Sequence, residues 1–365
     1  FAQIIKDLQN YDPLTILQQN TPHPKPTISI YKIYLSKTNI QLMLSKPDFK
    51  QKQILIIHQE KDIQLDFKFS NDNIIIYKNS KIANKISLHK IFVIFIIGSF
   101  TITSNLIAQA NTHCINIFLL KENFQVQSQI QSYASGNFLL RYQQYHHTTH
   151  HELFISQCIV LNKITNQIHI LQKYNHIDSK KARALLTKTT NSINHTIDYK
   201  ELLGIEGTFA KTYFSALFDQ HEWTGRKPRA KNDINNLLLD IGYTYILNFI
   251  DSLLLLYGFD TYKGVYHKLF FQRKSLSCDI IEPFRPMIDY YLIKAHNLNQ
   301  INPKDFQLKS PTYSLPWKNS RKYTTIFFDG IMQNKESIYD YVQKYYRFNM
   351  NPTDNPMPQF IFKPR

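Results

Sequence analysis

The sequence is poor in cysteine and has no long apolar run. Its three cysteines, Cys114, Cys158 and Cys278, form no CxxC pair, which argues against a zinc ribbon or a disulfide framework and fits a reducing cytosol. The longest purely apolar run, Ile91–Ile97, has seven residues, far short of the ~20 that span a bilayer. We therefore expect a cytoplasmic protein with neither a membrane-spanning segment nor a disulfide-stapled secreted fold.

Acidic residues are scarce beside basic ones. The chain has 43 Lys and Arg against 27 Asp and Glu, which gives a net charge of +16. Such an excess predicts a polyanionic partner, and nucleic acid is the commonest one. The abundance of Lys, Asn and Ile is equally typical of an AT-rich genome, so the charge alone does not decide between these readings.

Two apolar patterns divide the chain. In the first third, short segments rich in β-branched residues, such as Ile74–Lys78, are separated by polar breaks, which is typical of a compact antiparallel β domain. From Asn137 onward apolar residues recur at intervals of three and four, as at Ile246, Phe249 and Ile250, which indicates helices. We predict an α+β fold, with an N-terminal antiparallel β domain followed by a mainly α-helical domain.

The predicted boundaries follow this change of pattern. They give an N-terminal extension at 1–26, a β domain at 27–132, a linker at 133–136, a helical domain at 137–348 and a C-terminal tail at 349–365. The predicted strands are Ile28–Leu35, Ile40–Leu44, Ile54–His58, Ile63–Phe69, Ile74–Lys78, Lys90–Gly98 and Cys114–Leu120. The last predicted helix is a short one at Ser337–Tyr346, before a tail broken by prolines.

Three segments of the helical part bring acids, a histidine and small residues together. Glu206 lies between two glycines, each of which costs a helix interior about 1 kcal/mol and would let a backbone or a phosphate approach closely. Asp279 and Glu282 are three residues apart at the start of a predicted helix, where negative charge is tolerated and a cation can bridge them. The segments are GIEGTFAKTYF at 204–214, GVYH at 264–267 and SLSCDIIEPFRP at 275–286.

These segments resemble the motifs of the CRISPR adaptation integrase, the large catalytic subunit of spacer acquisition. Other stretches also resemble that family in its order, over roughly residues 70 to 360; they are NFLLRYQQY at 137–145, DINNLLL at 233–239 with Gly242 and Tyr243, and Ile97-Gly98 with Thr101-Ile102-Thr103. Asp240 departs from the pattern, since a small uncharged residue is common there. The resemblance implies that the helical domain is the catalytic one.

The resemblance also implies a metal site. Glu206, His267 and Glu282 would be the ligands, and Asp279 would assist, either through a water molecule or by supporting a ligand. Carboxylate and imidazole ligands suit Mg²⁺ or Mn²⁺. Tyr243 would act on the phosphate as a further catalytic residue.

Four cations are candidates for DNA binding. Arg285 would neutralise the phosphate, and Lys211, one helical turn beyond Gly207, would contact the DNA backbone. Arg229 and Lys231 belong to the basic loop WTGRKPRAKN at 223–232. The alternative for that loop is a solvated, flexible connection with no ligand.

The implied function is a metal-dependent DNA integrase and endonuclease, which joins the 3′-hydroxyl of a prespacer to a CRISPR repeat by transesterification in a prokaryotic cytoplasm. The family works as a homodimer through its β domains, and two dimers flank a small ferredoxin-like partner subunit in a heterohexamer. No membrane partner is expected. The alternatives are a basic nucleic-acid-binding module without catalysis and a stand-alone nuclease for branched DNA.

Two further groups of side chains have a functional and a structural interpretation. A histidine cluster could bind a transition metal at helical spacing, but solvation at the surface is favoured; its members are His146, His147, His150 and His151. Tyr341, Tyr345 and Tyr346 could stack on bases, but packing inside the protein is favoured.

Overall fold

The computed structural model describes residues 52–58, 65–98, 100–121, 126–130, 137–221, 223–268 and 270–364, and all of them belong to one compact unit. The predicted extension at 1–26, the predicted strands Ile28–Leu35 and Ile40–Leu44 and the predicted linker at 133–136 lie outside the described residues. The division of the chain into a β domain and a helical domain at that linker stays a prediction.

Two sheets form the β part. Its elements are β1 (Gln53–His58), β2 (Leu65–Ser70), β3 (Asn73–Lys78), β4 (Lys81–Ser87), β5 (Ile91–Ile97), helix α1 (Ser104–Thr112), β6 (Asn116–Leu120) and β7 (Val126–Ile130). Strands β2, β3 and β4 form an antiparallel sheet, and both residues of each hairpin loop, Asn71–Asp72 and Asn79–Ser80, have positive φ. This geometry gives tight two-residue turns that match the twist of the strands.

The second sheet has the order β1-β5-β6-β7 and is mixed. Strand β5 pairs in parallel with both β1 and β6, whereas β7 is antiparallel to β6. Parallel neighbours require a crossover, and here the three-stranded sheet and α1 provide the two crossovers. The predicted class, β structure followed by mainly helical structure, is confirmed. The antiparallel expectation holds for β2–β4 and for β6–β7, but not for the pairings of β5.

Strand β5 lies in the core, because all seven of its residues are buried. The ring of Phe92 meets Phe249 of the helical part with centroids 6.1 Å apart, and the Asn116 amide donates to the carbonyl of Ser252 at 3.3 Å. The mixed sheet therefore packs directly against the helices. Strand β4 was not predicted, because it is mostly exposed and polar and shows no apolar pattern.

The helical part carries the site. Its elements are α2 (Phe138–Tyr145), α3 (Thr149–Lys173), α4 (Ser179–Asn194), α5 (Tyr199–Leu217), α6 (Ile234–Tyr257), α7 (Ser275–Ile281), a 3-10 turn (Glu282–Phe284), α8 (Arg285–Asn297), a small hairpin of β8 (Gln307–Lys309) and β9 (Thr312–Ser314), and α9 (Trp317–Met350). By length and composition α6 could cross a membrane, but 78% of its most apolar stretch is buried inside the protein. It is a central core helix.

The last helix is much longer than predicted. The predicted segment Ser337–Tyr346 is the second half of α9, which runs for 34 residues. Buried apolar residues, among them Tyr323, Phe327 and Ile331, continue the spacing toward the N-terminus of this helix. Polar and basic residues between them on the exposed face hide this spacing in the sequence.

The C-terminal tail is fixed on α3. The side chain of Asn162 pairs with both the N–H and the carbonyl of Phe360, at 2.8 and 2.7 Å, and Asn166 accepts from the N–H of Phe362 at 2.9 Å. Asn166 also donates to the carbonyl of Pro283 at 2.9 Å. These bonds hold α3 against the turn that follows α7, and both elements contribute to the site.

Candidate functional site

Asp279 of α7 is fully buried and is surrounded by hydrogen-bond donors. Its Oδ2 accepts from the N–H groups of Val265 and Tyr266 at 2.7 and 3.1 Å, and its Oδ1 accepts from the N–H of His267 at 2.8 Å. Nδ1 of His267 lies 2.7 Å from the same Oδ1. The Asp279 carboxylate therefore fixes the loop 265–267 and accepts a hydrogen bond from Nδ1–H of the imidazole, so that Nε2 is the nitrogen with a free lone pair.

Gly264 makes this arrangement possible. A Cβ at this position would lie 2.7 Å from Oδ2 of Asp279 and 2.8 Å from the backbone and Cβ of Ser275. Both distances are shorter than any carbon–oxygen or carbon–carbon van der Waals contact. The first residue of the segment GVYH therefore has to be glycine, because the loop passes too close to α7 for a side chain.

Glu206 and Glu282 converge on one ammonium group, that of Lys163. Nζ of Lys163, on α3, contacts Oε1 of Glu206 on α5 and lies 2.7 Å from Oε2 of Glu282. All three side chains are largely buried: the exposed fraction is 11% for Lys163, 16% for Glu206 and 4% for Glu282. The other oxygen of Glu206 accepts from the hydroxyl of Tyr266. Two acids far apart in the sequence thus share one counterion.

Arg285 provides a second cation beside Glu282. Its Nε donates to Oε1 of Glu282 at 2.9 Å. Burial alone would raise the pKa of Glu282, but the charges of Arg285 and Lys163 outweigh it and lower the pKa to about 2. The carboxylate is therefore anionic at every physiological pH, as a metal ligand has to be.

The donor set suits a divalent cation. Two carboxylates and an imidazole with a free Nε2 are ligands for Mg²⁺ or Mn²⁺, and the buried Oε2 of Glu282 faces a cation, the Lys163 ammonium, at 2.7 Å. Among the residues that the structure describes, no three His, Cys, Asp or Glu side chains form a ready metal cluster. The ammonium of Lys163 is the group that stands between the two glutamates.

Tyr243 is placed differently from the other predicted site residues. It is buried, and its hydroxyl donates to Oδ1 of Asp289, whereas the Tyr213 hydroxyl donates to Oδ2 of the same carboxylate at 3.0 Å. Two guanidinium groups contact the Tyr243 ring, that of Arg226 at 5.3 Å and that of Arg285 at 4.6 Å from the ring centroid. Its contacts favour holding Arg285 in place over direct action on a phosphate.

Asp289 is a buried acid that sequence analysis did not single out. Burial raises its pKa to about 6, although hydrogen bonds from Tyr243 and Tyr213 oppose the shift. It anchors the ring on which Arg285 rests. The signal that the sequence offered was an acid within an otherwise apolar stretch of α8.

The predicted DNA-binding cations divide into two groups. Lys211 on α5 and Arg229 in the basic loop are exposed, whereas Lys231 is only partly exposed, and Arg285 lies inside the site. Asp240 fixes the basic loop, since it pairs with Arg226 at 2.7 Å and accepts from the N–H of Arg229 at 2.9 Å. The unusual acid at position 240 thus explains why this loop is folded against α6.

Lys163 is a second residue of the site that sequence analysis missed. It lies in the segment LNKITNQ of α3, where Asn162, Lys163, Asn166 and Gln167 are all buried. Polar residues on the inner face of a long helix require partners inside the protein. This pattern was the signal that could have identified Lys163.

Part of the histidine cluster, His147 and His151, is packed, as are two of the three tyrosines of α9. The rings of His147 and His151 meet at 4.8 Å, and His151 stacks on Phe348 at 5.5 Å. Burial lowers the pKa of His147, which is only partly exposed, to about 4. His146 and His150 are exposed, as the favoured interpretation expects. Tyr341 and Tyr345 are 2% and 1% exposed, which agrees with the favoured packing role.

Comparisons with known proteins agree on one family. The chain matches the family model described as CRISPR associated protein Cas1 over residues 57–328. It is 24% identical over 289 residues to a CRISPR-associated endonuclease Cas1 of Thermodesulfovibrio yellowstonii, which covers 75% of this chain and 90% of that protein.

Solved structures of the same fold include a casposase bound to its integration product, with a TM-score of 0.69, 18% identity and coverage of 86% of this chain and 94% of that one. A chain of a partial Cas6-RT-Cas1–Cas2 complex superposes with a TM-score of 0.62 at 23% identity, and covers 86% of this chain and 99% of that one. At these identities the superpositions establish similarity of fold.

Proposed function

Because the chain belongs to the family of CRISPR-associated Cas1 proteins, we propose that it is a metal-dependent DNA endonuclease and integrase of CRISPR spacer acquisition. The observation that carries this proposal is the convergence of Glu206 and Glu282; the loop whose Tyr266 binds Glu206 also holds His267, whose ring is oriented by the buried Asp279. Three elements, α3, α5 and the turn after α7, meet at this point, and a purely structural cluster has no need of the oriented imidazole.

Glu206, Glu282 and Nε2 of His267 would hold the cation. When bound, the cation supplies Lewis-acid stabilisation of the charge that develops on the phosphate oxygens. Asp279 keeps the imidazole in the tautomer with a free Nε2 and fixes its direction through the backbone of the loop. Arg285, held by the Tyr243 ring, places a permanent positive charge beside the same carboxylates, where a phosphate would need it.

The reaction we propose is a transesterification. The oxygen of a prespacer 3′-hydroxyl forms a bond to the phosphorus of a repeat phosphodiester, the bond to the repeat-strand 3′-oxygen breaks, and that oxygen leaves as a new hydroxyl. One phosphodiester is exchanged for another, so no high-energy cofactor is needed. Water in place of the 3′-hydroxyl gives hydrolysis at the same site, which is the endonuclease activity.

DNA would be bound by the cations around this site. Lys211 lies on the exposed face of α5 that also holds Gly204 and Gly207, and a Cβ at either glycine would meet nothing within 4 Å. That bare face next to Glu206 leaves room for a DNA backbone. On the loop after His267, Phe270 and Phe271 are 73% and 84% exposed, which suits stacking on an unpaired base.

The proposed assembly follows the family. We propose that the chain forms a homodimer and that two such dimers flank a small ferredoxin-like partner subunit. We place this complex in the cytoplasm of a prokaryote. The similarity in fold to a chain of a Cas6-RT-Cas1–Cas2 complex supports a partner of this kind.

Strand transfer tests the proposal. Wild-type protein, His267→Ala and the control His150→Ala would be incubated with the small partner subunit, a labelled duplex with free 3′-hydroxyls, a supercoiled repeat plasmid and Mn²⁺. His150 is an exposed histidine on α3. We expect joined product from wild type and from the control, and a loss of at least about a thousandfold for His267→Ala.

Other outcomes separate the alternatives. Cleavage of branched DNA without joining would make the protein a stand-alone nuclease. DNA binding without either activity would make it a binding module, and full activity of His267→Ala would show that the site is elsewhere.

A further inference from the structure

We propose that Lys163 is a displaceable counterion of the active site. Its ammonium holds Glu206 and Glu282 together in the metal-free protein and withdraws when a divalent cation takes the same carboxylate oxygens. This inference deepens the proposed function and rests on it, since it concerns the same two glutamates.

Contacts of Lys163 place it where a cation is needed. Its Nζ contacts Oε1 of Glu206 and lies 2.7 Å from Oε2 of Glu282. Two carboxylates that approach one nitrogen this closely repel each other strongly when the positive charge between them is removed. Lys163 is itself buried, and its contacts with the two glutamates are ion pairs.

Lys163 and a divalent cation exclude each other from this position. Both need the same oxygen lone pairs, and two positive charges in contact within a protein interior repel each other. The divalent ion has the larger charge and binds several oxygens at once. Lysine is a compact charge on a flexible four-carbon stem, so rotation of that stem removes the ammonium without moving α3.

Arg285 is the matched cation that stays. Its Nε is bonded to Oε1 of Glu282 at 2.9 Å, and its guanidinium rests on the Tyr243 ring at 4.6 Å. Those two contacts fix a planar group, whereas the contacts of the Lys163 ammonium are to the two acids that a cation would occupy. The site thus contains one fixed and one exchangeable positive charge.

A DNA phosphate gives the released ammonium a new acceptor. Without DNA, withdrawal of Lys163 leaves a charge in a largely buried place without a partner, which opposes binding of the cation. With DNA present, the ammonium can pair with a phosphate oxygen at the same site. Lys163 therefore makes cation binding depend on DNA, and it would disfavour metal binding before a substrate is present.

Mn²⁺ titration followed by electron paramagnetic resonance tests this exchange, with and without a short duplex whose 3′-ends are blocked. The proteins are wild type, Lys163→Met and the control Lys274→Met, all as full chains. Lys274, the residue before α7, is also a partly buried lysine and pairs with Asp251 at 2.8 Å, so its loss tests for a general effect of removing a buried ion pair.

We expect Lys163→Met to bind Mn²⁺ about tenfold more tightly than wild type without DNA, because no ammonium has to be displaced. The duplex should tighten Mn²⁺ binding about tenfold more for wild type and for Lys274→Met than for Lys163→Met, in which only the direct contact of the cation with a phosphate remains. A purely structural role of Lys163 would not weaken the dependence on DNA. If the Lys163→Met protein does not fold, Lys163→Arg carries the test.

The expectation for Lys163→Arg is weaker Mn²⁺ binding than wild type, since a guanidinium pairs with both acids and is harder to displace. Equal or weaker Mn²⁺ binding by Lys163→Met, or wild-type affinity of Lys163→Arg, would overturn the exchange while leaving the proposed function intact. Absence of Mn²⁺ binding in every variant, with and without DNA, would overturn both.

Discussion

Two carboxylates of the site, Asp279 and Glu282, are three residues apart and both buried, yet they are stabilised in different ways. Asp279 is surrounded by three backbone N–H groups and one imidazole N–H. Glu282 is surrounded by the side-chain cations of Lys163 and Arg285. Backbone donors cannot leave without refolding the loop, whereas a flexible cation can. The Asp279 region is therefore a fixed support, and the Glu282 region is open to exchange of its ligands.

The largest expected effect comes from removing the fixed support. Asp279→Ala leaves four buried donors without an acceptor, and because each costs about 1 kcal/mol or more, we expect a loss of roughly 4 kcal/mol in the free energy of unfolding. Glu206→Gln should cost only about 1 kcal/mol, since Lys163 keeps Glu282 and the amide oxygen still accepts from Tyr266. Urea denaturation measures both. Equal losses would break the distinction between the two regions.

A third buried carboxylate, Asp289, sharpens the comparison, because its direct partners are the neutral hydroxyls of Tyr243 and Tyr213. The charges of Arg226 and Lys163 act on it from further away. Its pKa in the folded protein, about 6, lies above the ordinary 3.8. Between about pH 4 and 6 the folded state keeps a proton that the unfolded state has lost, so stability falls as pH rises through this window.

The corresponding variant is Asp289→Asn, which cannot ionise. The difference in the free energy of unfolding between this variant and wild type should shift in favour of the variant by up to about 3 kcal/mol from pH 4 to above about pH 6. Unfolding of both proteins over this pH range measures the change. A stability difference that does not vary with pH would show that the tyrosine hydroxyls stabilise the charged form as well as backbone amides do.

Two glycines test how tightly each region is built. Gly264→Ala places a methyl group 2.7 Å from Oδ2 of Asp279, and overpacking of this kind should cost about 2 kcal/mol. Gly207→Ala, next to Glu206, meets nothing within 4 Å and should raise stability by about 1 kcal/mol, because alanine is the better helix former. Thermal melting compares them. We also expect Gly207→Ala to join DNA less well, and unchanged joining would contradict a close approach of DNA.

The smallest effects are expected in the basic loop. It also contains one cation that is fixed by a carboxylate, Arg226, and one that is exposed, Arg229. Arg229→Ala should change the free energy of unfolding by less than about 0.5 kcal/mol. It should reduce the slope of the logarithm of the DNA-binding constant against the logarithm of the salt concentration by about one. Arg226→Ala should leave the salt dependence unchanged and cost about 1 kcal/mol, because it removes the partner of Asp240 and a guanidinium over Tyr243. Fluorescence anisotropy at several salt concentrations measures the binding.

Much of the outline could be predicted from local patterns. The buried strand β5 and the apolar period of α6 are visible in single segments, and the motif segments identified the family. Strand pairing could not be predicted, since the parallel neighbours of β5 come from distant segments. The length of α9 was underestimated because basic and polar residues of its exposed face mask its apolar spacing.

The sequence by itself determined which residue types are present at the site: Glu206, His267, Asp279 and Glu282 stand in motifs that are readable without a fold. Only the tertiary structure decided what each one contacts. Asp279 is bound by backbone amides, the Tyr243 hydroxyl donates to Asp289, and Lys163 bridges two glutamates. These contacts all depend on the packing of segments that are far apart in the chain. Spacing along a chain fixes which residues share a local element, whereas the partners of a buried charge are set by the packing of whole elements against each other.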